Sequence, residues 1–190
     1  MKQKRLVYAG AFSGLSLVLA LLIHFPIVPQ APFLLYDPGD IPILILGFKL
    51  GPFLGVTVTA IVSVLFALVT GEGGPWGVLM HLLATGTYVA IAGGIYHRKR
   101  TQSGAVVGLV LATLGMTGVM IVANLLITPL YLGASREAVA TMLVPAIIPF
   151  NLLKGVINGV VTFLVYKKVS RLLEEPDLVH SGTETLKSEG

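Results

Sequence analysis

The chain has 190 residues, of which 55% are hydrophobic and only 12% charged, with a formal net charge of +4 and a mean hydropathy of +0.88. A water-soluble domain of that length needs more polar surface than this composition supplies. There is no cysteine, which excludes thiolate catalysis, disulfides and thiolate metal sites.

Apolar runs of about 18 or more residues recur along the chain, and about 20 residues in a helix cross a hydrocarbon core. In lipid only helices and closed barrels satisfy every backbone polar group, and the runs are too uniformly apolar for the alternating strands of a barrel. The expected fold is therefore all-α: a polytopic membrane protein with six transmembrane helices over residues 1–172 and a polar, disordered cytoplasmic tail over 173–190. The basic balance does not point to nucleic acid, because the cations gather beside the ends of apolar runs, where topology signals lie.

The first span is expected from about Leu6 to Phe25, preceded by Lys2, Lys4 and Arg5. Its run has no small-x-small cleavage site, so it reads as a retained helix rather than a signal peptide. Pro26, Pro29, Pro32 and Pro38 then forbid a continuing helix. Asp40-Ile41-Pro42 looks like a helix start, with Asp as N-cap and proline in the first turn. That second helix, about Asp40 to Leu50, is short for a full crossing. Gly51-Pro52 breaks it, and Phe53 to Thr70 forms the third span. The turn Gly71-Glu72-Gly73-Gly74-Pro75 leads to a fourth, about Trp76 to Tyr96, closed by His97-Arg98-Lys99-Arg100. The fifth runs from about Gly104 to Leu132. The sixth lies between Arg136 and Lys167, its start kinked or delayed by Pro145 and Pro149.

Charge distribution supports this count. With both termini inside, the cytoplasmic segments hold Lys2, Lys4 and Arg5; Lys49; Arg98, Lys99 and Arg100; and Lys167, Lys168 and Arg171. The outer segments hold Arg136 against Asp37, Asp40, Glu72 and Glu137. That is the positive-inside pattern, and removing the short second helix would put the 97–100 cluster outside.

Lys154 is the one charge well inside an apolar span, and intramembrane charges usually face a cavity and mark function; the alternative is snorkelling to an interface. Asn151, Lys154 and Asn158 are spaced by three and four, hence share one helix face. Asn124 adds an amide in the fifth span; interhelical hydrogen bonding is the competing role for such amides. Asp40 reads either as an N-cap or as a ligand group. Tyr36, Phe33 and Trp76 read either as an interfacial aromatic belt or as stacking partners for a planar ligand. His24 and His81 are not at ligand spacing with each other or with a carboxylate, so no metal site is expected. Gly71-Glu72-Gly73-Gly74 lacks the Gly-Lys-Ser/Thr of a phosphate loop. No nucleophile–base pair is visible around Ser13, Ser16 or Ser63, so no enzymatic activity is expected. In the first span Ala9, Gly10, Ser13 and Gly14 form a small-xxx-small pattern that admits another helix closely.

Four local features then converge: Tyr36-Asp37-Pro38-Gly39-Asp40-Ile41-Pro42, the Gly-x-x-x-Gly-Pro of Gly47 to Pro52, Gly74-Pro75-Trp76-Gly77, and Asn151-Leu152-Leu153-Lys154-Gly155. With the size and the six-span plan, they make the chain resemble, over about residues 5 to 172, the substrate-binding S components of the energy-coupling-factor (ECF) vitamin transporters, specifically the riboflavin type. The resemblance implies a six-helix bundle in the cell membrane with an outward-opening vitamin pocket gated by the loop from about Pro26 to Gly39. It implies riboflavin as the transported ligand, no cofactor, and an ATP-driven complex with a membrane coupling protein and two ATPase subunits. It assigns partner contact to Ala9 and Ser13, although alanine is frequent at both positions in the family. Substrate binding is assigned to Asn124, Asn151 and Lys154, with Tyr36 and Asp40 as further candidates.

The flat flavin ring with its imide edge suits such residues, since an amide both donates and accepts and an ammonium donates to carbonyls or hydroxyls. An S component for another vitamin is the main alternative, although a cationic ligand would fit poorly beside Lys154. An ion-coupled secondary transporter would need mid-membrane carboxylates and internal repeats, and neither is visible.

Overall fold

The computed structural model describes residues 2–174. Seven α-helices follow in order: α1 (Lys2–Leu22), α2 (Asp40–Leu50), α3 (Pro52–Thr70), α4 (Gly74–Arg98), α5 (Gln102–Leu132), α6 (Arg136–Thr141) and α7 (Ile148–Glu174). Between α1 and α2 lies a two-stranded antiparallel ribbon, β1 (Phe25–Pro26) and β2 (Leu35–Tyr36), pairing Phe25 with Tyr36. A π-helical turn, Leu143–Ile147, joins α6 to α7.

Among the described residues five segments are long and apolar enough to cross a membrane: Gln3–Leu22, Pro52–Thr70, Gly74–Arg98, Gln102–Leu132 and Leu143–Val169. The expected second span departs from the others. α2 has 11 residues, which rise about 16 Å, roughly half of a hydrocarbon core. It is apolar on all sides and correspondingly central: Ile43 and Leu44 are fully buried, and α1, α3, α4 and α7 pack around it. The other half of this crossing is non-helical. The segment around Tyr36–Gly39 is buried, and the Ser16 hydroxyl, inside α1, donates to the Gly39 carbonyl at 2.6 Å. Irregular backbone at that depth is tolerated only when enclosed by protein, and here α1 encloses it.

Two close approaches explain glycines near α2. A Cβ on Gly39 would stand 2.7 Å from the Ser16 carbonyl oxygen, so any side chain there would push the loop off α1. Gly55 lets α3 approach Gly47 of α2, where a Cβ would collide with Val89 and stand 3.2 Å from the Gly47 Cα.

The two prolines of the last span act as expected. Pro145 sits within the π-helical turn and Pro149 in the first turn of α7, where a missing N–H is harmless. A small second core, including Ala31, Leu34, Tyr36, Val139, Ile147 and Phe150, packs the α1–α2 loop against this turn and α6. Of the expected tail, residues 173 and 174 still belong to α7, and 175–190 lie outside the described residues.

Candidate functional site

The start of α2, the start of α4, the end of α5 and the start of α7 meet at one end of the bundle, beneath the α1–α2 loop. Two polar layers are built there. The inner layer is a buried network centred on Asp40, which is 1% exposed. The N-cap expectation is corrected: Gly39 occupies that position without a side-chain cap, and Asp40 is the first helical residue. Its carboxylate turns inward instead. It accepts from Thr85 Oγ1 at 2.8 Å and from Asn158 Nδ2 at 3.2 Å, and it lies 3.1 Å from Lys154 Nζ and 3.2 Å from His81 Nε2. Lys154 Nζ also donates to Asp37 Oδ2 at 3.2 Å. Asp37 Oδ1 in turn accepts from the Gly39 amide at 3.0 Å, and the Tyr36 hydroxyl donates to Asn158 Oδ1 at 3.1 Å.

This network excludes one of the two readings of Lys154 and revises three further expectations. Lys154, 6% exposed, does not snorkel. It is buried because two carboxylates neutralise it, and an unpaired ammonium in that position would be far more costly. For the same reason it no longer argues against a cationic ligand. Asp37 and Asp40 are carboxylates enclosed within the bundle, so their expected absence from it is also corrected. Finally, His81 does lie beside a carboxylate, contrary to what sequence spacing suggested.

The outer layer is a cavity of about 590 Å³, well within the size range of small-molecule sites. Phe33, Leu34 and Leu35 of the loop, Phe66 of α3, Trp76 and Met80 of α4 and Phe150 of α7 supply most of its apolar wall. Asn124, Thr128, His81, Asn151, Lys154 and Asp37 supply the polar groups. At the mouth, His24 Nε2 stands 3.8 Å from Glu72 Oε1, and its ring meets Phe66 edge-on.

Each amide in the wall is oriented by its own helix. Asn124 Nδ2 donates to the Met120 carbonyl and its Oδ1 accepts from Thr128 Oγ1, both at 2.8 Å. Asn151 Nδ2 donates to the Ile147 carbonyl at 2.8 Å. An amide has two N–H donors and an oxygen with two lone pairs, so each retains a donor and an acceptor for a ligand. Lys154 has three N–H bonds, two of which are directed at Asp37 and Asp40.

Of the sequence candidates, Asn124, Asn151 and Lys154 come together in the cavity wall. Tyr36 and Asp40 do not line it; they stand behind it, holding Asn158 and Lys154. Tyr36 is 7% exposed and its ring packs edgewise on Phe25, so it is neither an interfacial belt residue nor a stacking wall. Phe33 and Trp76 do line the cavity. Ala9 and Ser13 are half-buried on α1, and Ala9 packs against the core. The outward-facing small residues are Gly10 and Gly14, with open space around them.

Asp37 as the partner of Lys154, and the wall residues His81, Phe66, Thr128 and Phe150, were not identified from sequence as site residues. A buried lysine demands an anion, and the sequence offered Asp37, Asp40, Glu72 and Glu137 on the same outer side. That signal was present, but nothing local connects residues more than a hundred positions apart.

A family model described as the substrate-specific component of ECF transporters matches residues 4–166. The riboflavin transporter RibU of Staphylococcus aureus (strain TCH60) is 32% identical over 179 residues, covering 91% of this chain and 94% of the relative. The riboflavin transporter FmnP of Bacillus subtilis (strain 168) is 31% identical over 189 residues, covering 95% and 99%. Among solved structures, one described as the S component of a bacterial ECF transporter superposes with a TM-score of 0.79 at 30% identity, covering 92% of this chain and 100% of that one. By this family match and these relatives, the chain belongs to the substrate-specific (S) components of the ECF transporters.

Proposed function

We propose that this chain is the riboflavin-capturing subunit of an ATP-driven importer, taking the vitamin from outside the cell and delivering it across the membrane. The observation that carries this reading is the cavity of about 590 Å³, with aromatic walls and two helix-anchored amides. A flavin ring is flat and apolar on its faces, which suits Phe33, Phe66, Trp76 and Phe150. Its imide edge presents carbonyls flanking one N–H, which suits the remaining donor and acceptor of Asn124 or Asn151. The third N–H of Lys154 is available to a carbonyl or ribityl hydroxyl. The names of the relatives from S. aureus and B. subtilis support the same ligand.

Energy comes from elsewhere, because the sequence has no phosphate-binding loop. In this reading a membrane coupling protein and two ATPases supply it, with the small-residue face of α1 around Ala9, Gly10, Ser13 and Gly14 receiving the membrane partner. Both termini lie in the cytoplasm, since Lys49, Arg98, Lys99, Arg100, Lys167 and Lys168 gather at the end opposite the cavity.

The test is a titration of riboflavin into purified, ligand-stripped protein, following flavin fluorescence. Saturable one-to-one quenching is expected. Absence of quenching in a folded protein that instead saturates with thiamine or pantothenate would discard riboflavin and keep the transporter family.

A further inference from the structure

A second cavity, about 490 Å³, opens at the other end of the bundle, between the ends of α2, α4 and α7 and the start of α5. Its floor is aromatic: Phe48 stacks on Tyr96 at 4.5 Å, and Tyr166 meets both edge-on. Its rim carries Arg100 and Lys167, both exposed. Neither pairs with a carboxylate among the described residues. The described acidic side chains, Asp37, Asp40, Glu72 and Glu137, all lie in the other half of the bundle, so among the described residues the charge that lines this cavity is basic.

The surface beside the rim is apolar. Val156, Val160 and Leu164 are spaced four apart on α7 and are 54%, 53% and 65% exposed, forming one stripe that runs from the hydrocarbon level to Leu164 in the cavity wall. A charged rim above an apolar stripe at the end of membrane-length helices is complementary to one amphiphile. Basic pockets between membrane helices at this level suit anionic lipid headgroups, and an arginine fork fits a phosphate with paired hydrogen bonds.

We infer that the cavity between α2, α4, α5 and α7 binds an anionic phospholipid, with Arg100 and Lys167 holding its phosphate and the Val156–Val160–Leu164 stripe receiving an acyl chain. This site is separate from the vitamin cavity and does not depend on which vitamin is carried. It makes the subunit sensitive to the lipid composition of the leaflet facing that end.

The test is native mass spectrometry of the full chain released from micelles holding equal amounts of phosphatidylglycerol and phosphatidylcholine of the same chain length. One phosphatidylglycerol is expected to be retained in preference to phosphatidylcholine. Arg100→Gln and Lys167→Gln should each weaken that preference about five-fold and the double variant about thirty-fold, the factors two near-surface charges supply. Arg100→Lys should keep most of it, and Lys99→Gln, outside the cavity lining, should leave it unchanged. Helix content by circular dichroism reads folding separately. Equal retention of both lipids, an undiminished preference in the folded double variant, or an equal loss in Lys99→Gln would overturn the site. Displacement of the lipid by inorganic phosphate at matching concentration would assign the pocket to a free anion instead. If the preference appeared only with a copurified protein attached, the basic rim would belong to a protein interface.

Discussion

Lys154 shows how a single residue can tie elements of a fold together and also line its cavity. Its ammonium joins Asp37 of the loop, Asp40 of α2 and its own helix α7, while its side chain also forms part of the cavity wall. Lys154→Ala leaves two buried carboxylates without a counter-charge, and breaking such a group costs about 3–5 kcal/mol. We expect a large fall in thermal unfolding temperature in detergent, together with loss of riboflavin binding. Asn151→Ala and Asn124→Ala behave differently, because their amides are held by their own helices and their remaining hydrogen-bonding groups face the cavity. Each should weaken riboflavin by about 1–2 kcal/mol, or about 5- to 30-fold, with a much smaller shift in unfolding temperature. Equal thermal losses in all three variants would assign the asparagines to packing rather than to the ligand. Sequence alone identified these three residues because polar groups are costly at membrane depth and therefore stand out. It did not supply the partners of Lys154, since Asp37, Asp40, His81 and Thr85 reach it or its neighbours only through tertiary folding.

Among the elements, five of the six expected helices were legible to within a few residues, whereas the sixth, expected between Arg136 and Lys167, is a short α6, a π-helical turn and an α7 that runs to Glu174. α2 was found at its observed bounds, Asp40–Leu50, because proline and glycine punctuate both of its ends. What composition did not reveal is that its crossing is shared with the buried segment before it. Hydropathy sums apolar character along the chain, whereas this half of the crossing depends on the hydrogen bond from the Ser16 hydroxyl of α1 to the Gly39 carbonyl and on Asp37. Gly39 tests that arrangement directly. In Gly39→Ala the new methyl meets the Ser16 carbonyl, and overpacking of this kind costs about 1–3 kcal/mol. We expect riboflavin to dissociate faster, with its capture in stopped-flow fluorescence changed less. Unchanged release would show that the Ser16–Gly39 contact does not secure the loop.

For the whole molecule, the asymmetry of charge predicts its orientation. The chain lacks cysteine, so single cysteines can be introduced without background labelling. Arg136→Cys, exposed beside the cavity end, should react with an impermeant maleimide added to intact cells. Ser103→Cys, exposed at the basic end, should react only after the membrane is opened. The reverse pattern would invert the topology and place the vitamin cavity inside. The small second core has a different consequence for how ligand enters. Ala31, Leu34 and Tyr36 pack on Val139, Ile147 and Phe150, while Asp37 is clasped by Lys154 immediately downstream. A loop fastened at Asp37 cannot peel away as a whole without leaving Lys154 to Asp40 alone and breaking the Tyr36–Asn158 hydrogen bond. Motion that spares both contacts is confined to β1 and the turn before β2, with Tyr36–Asp40 left behind as a fixed sill.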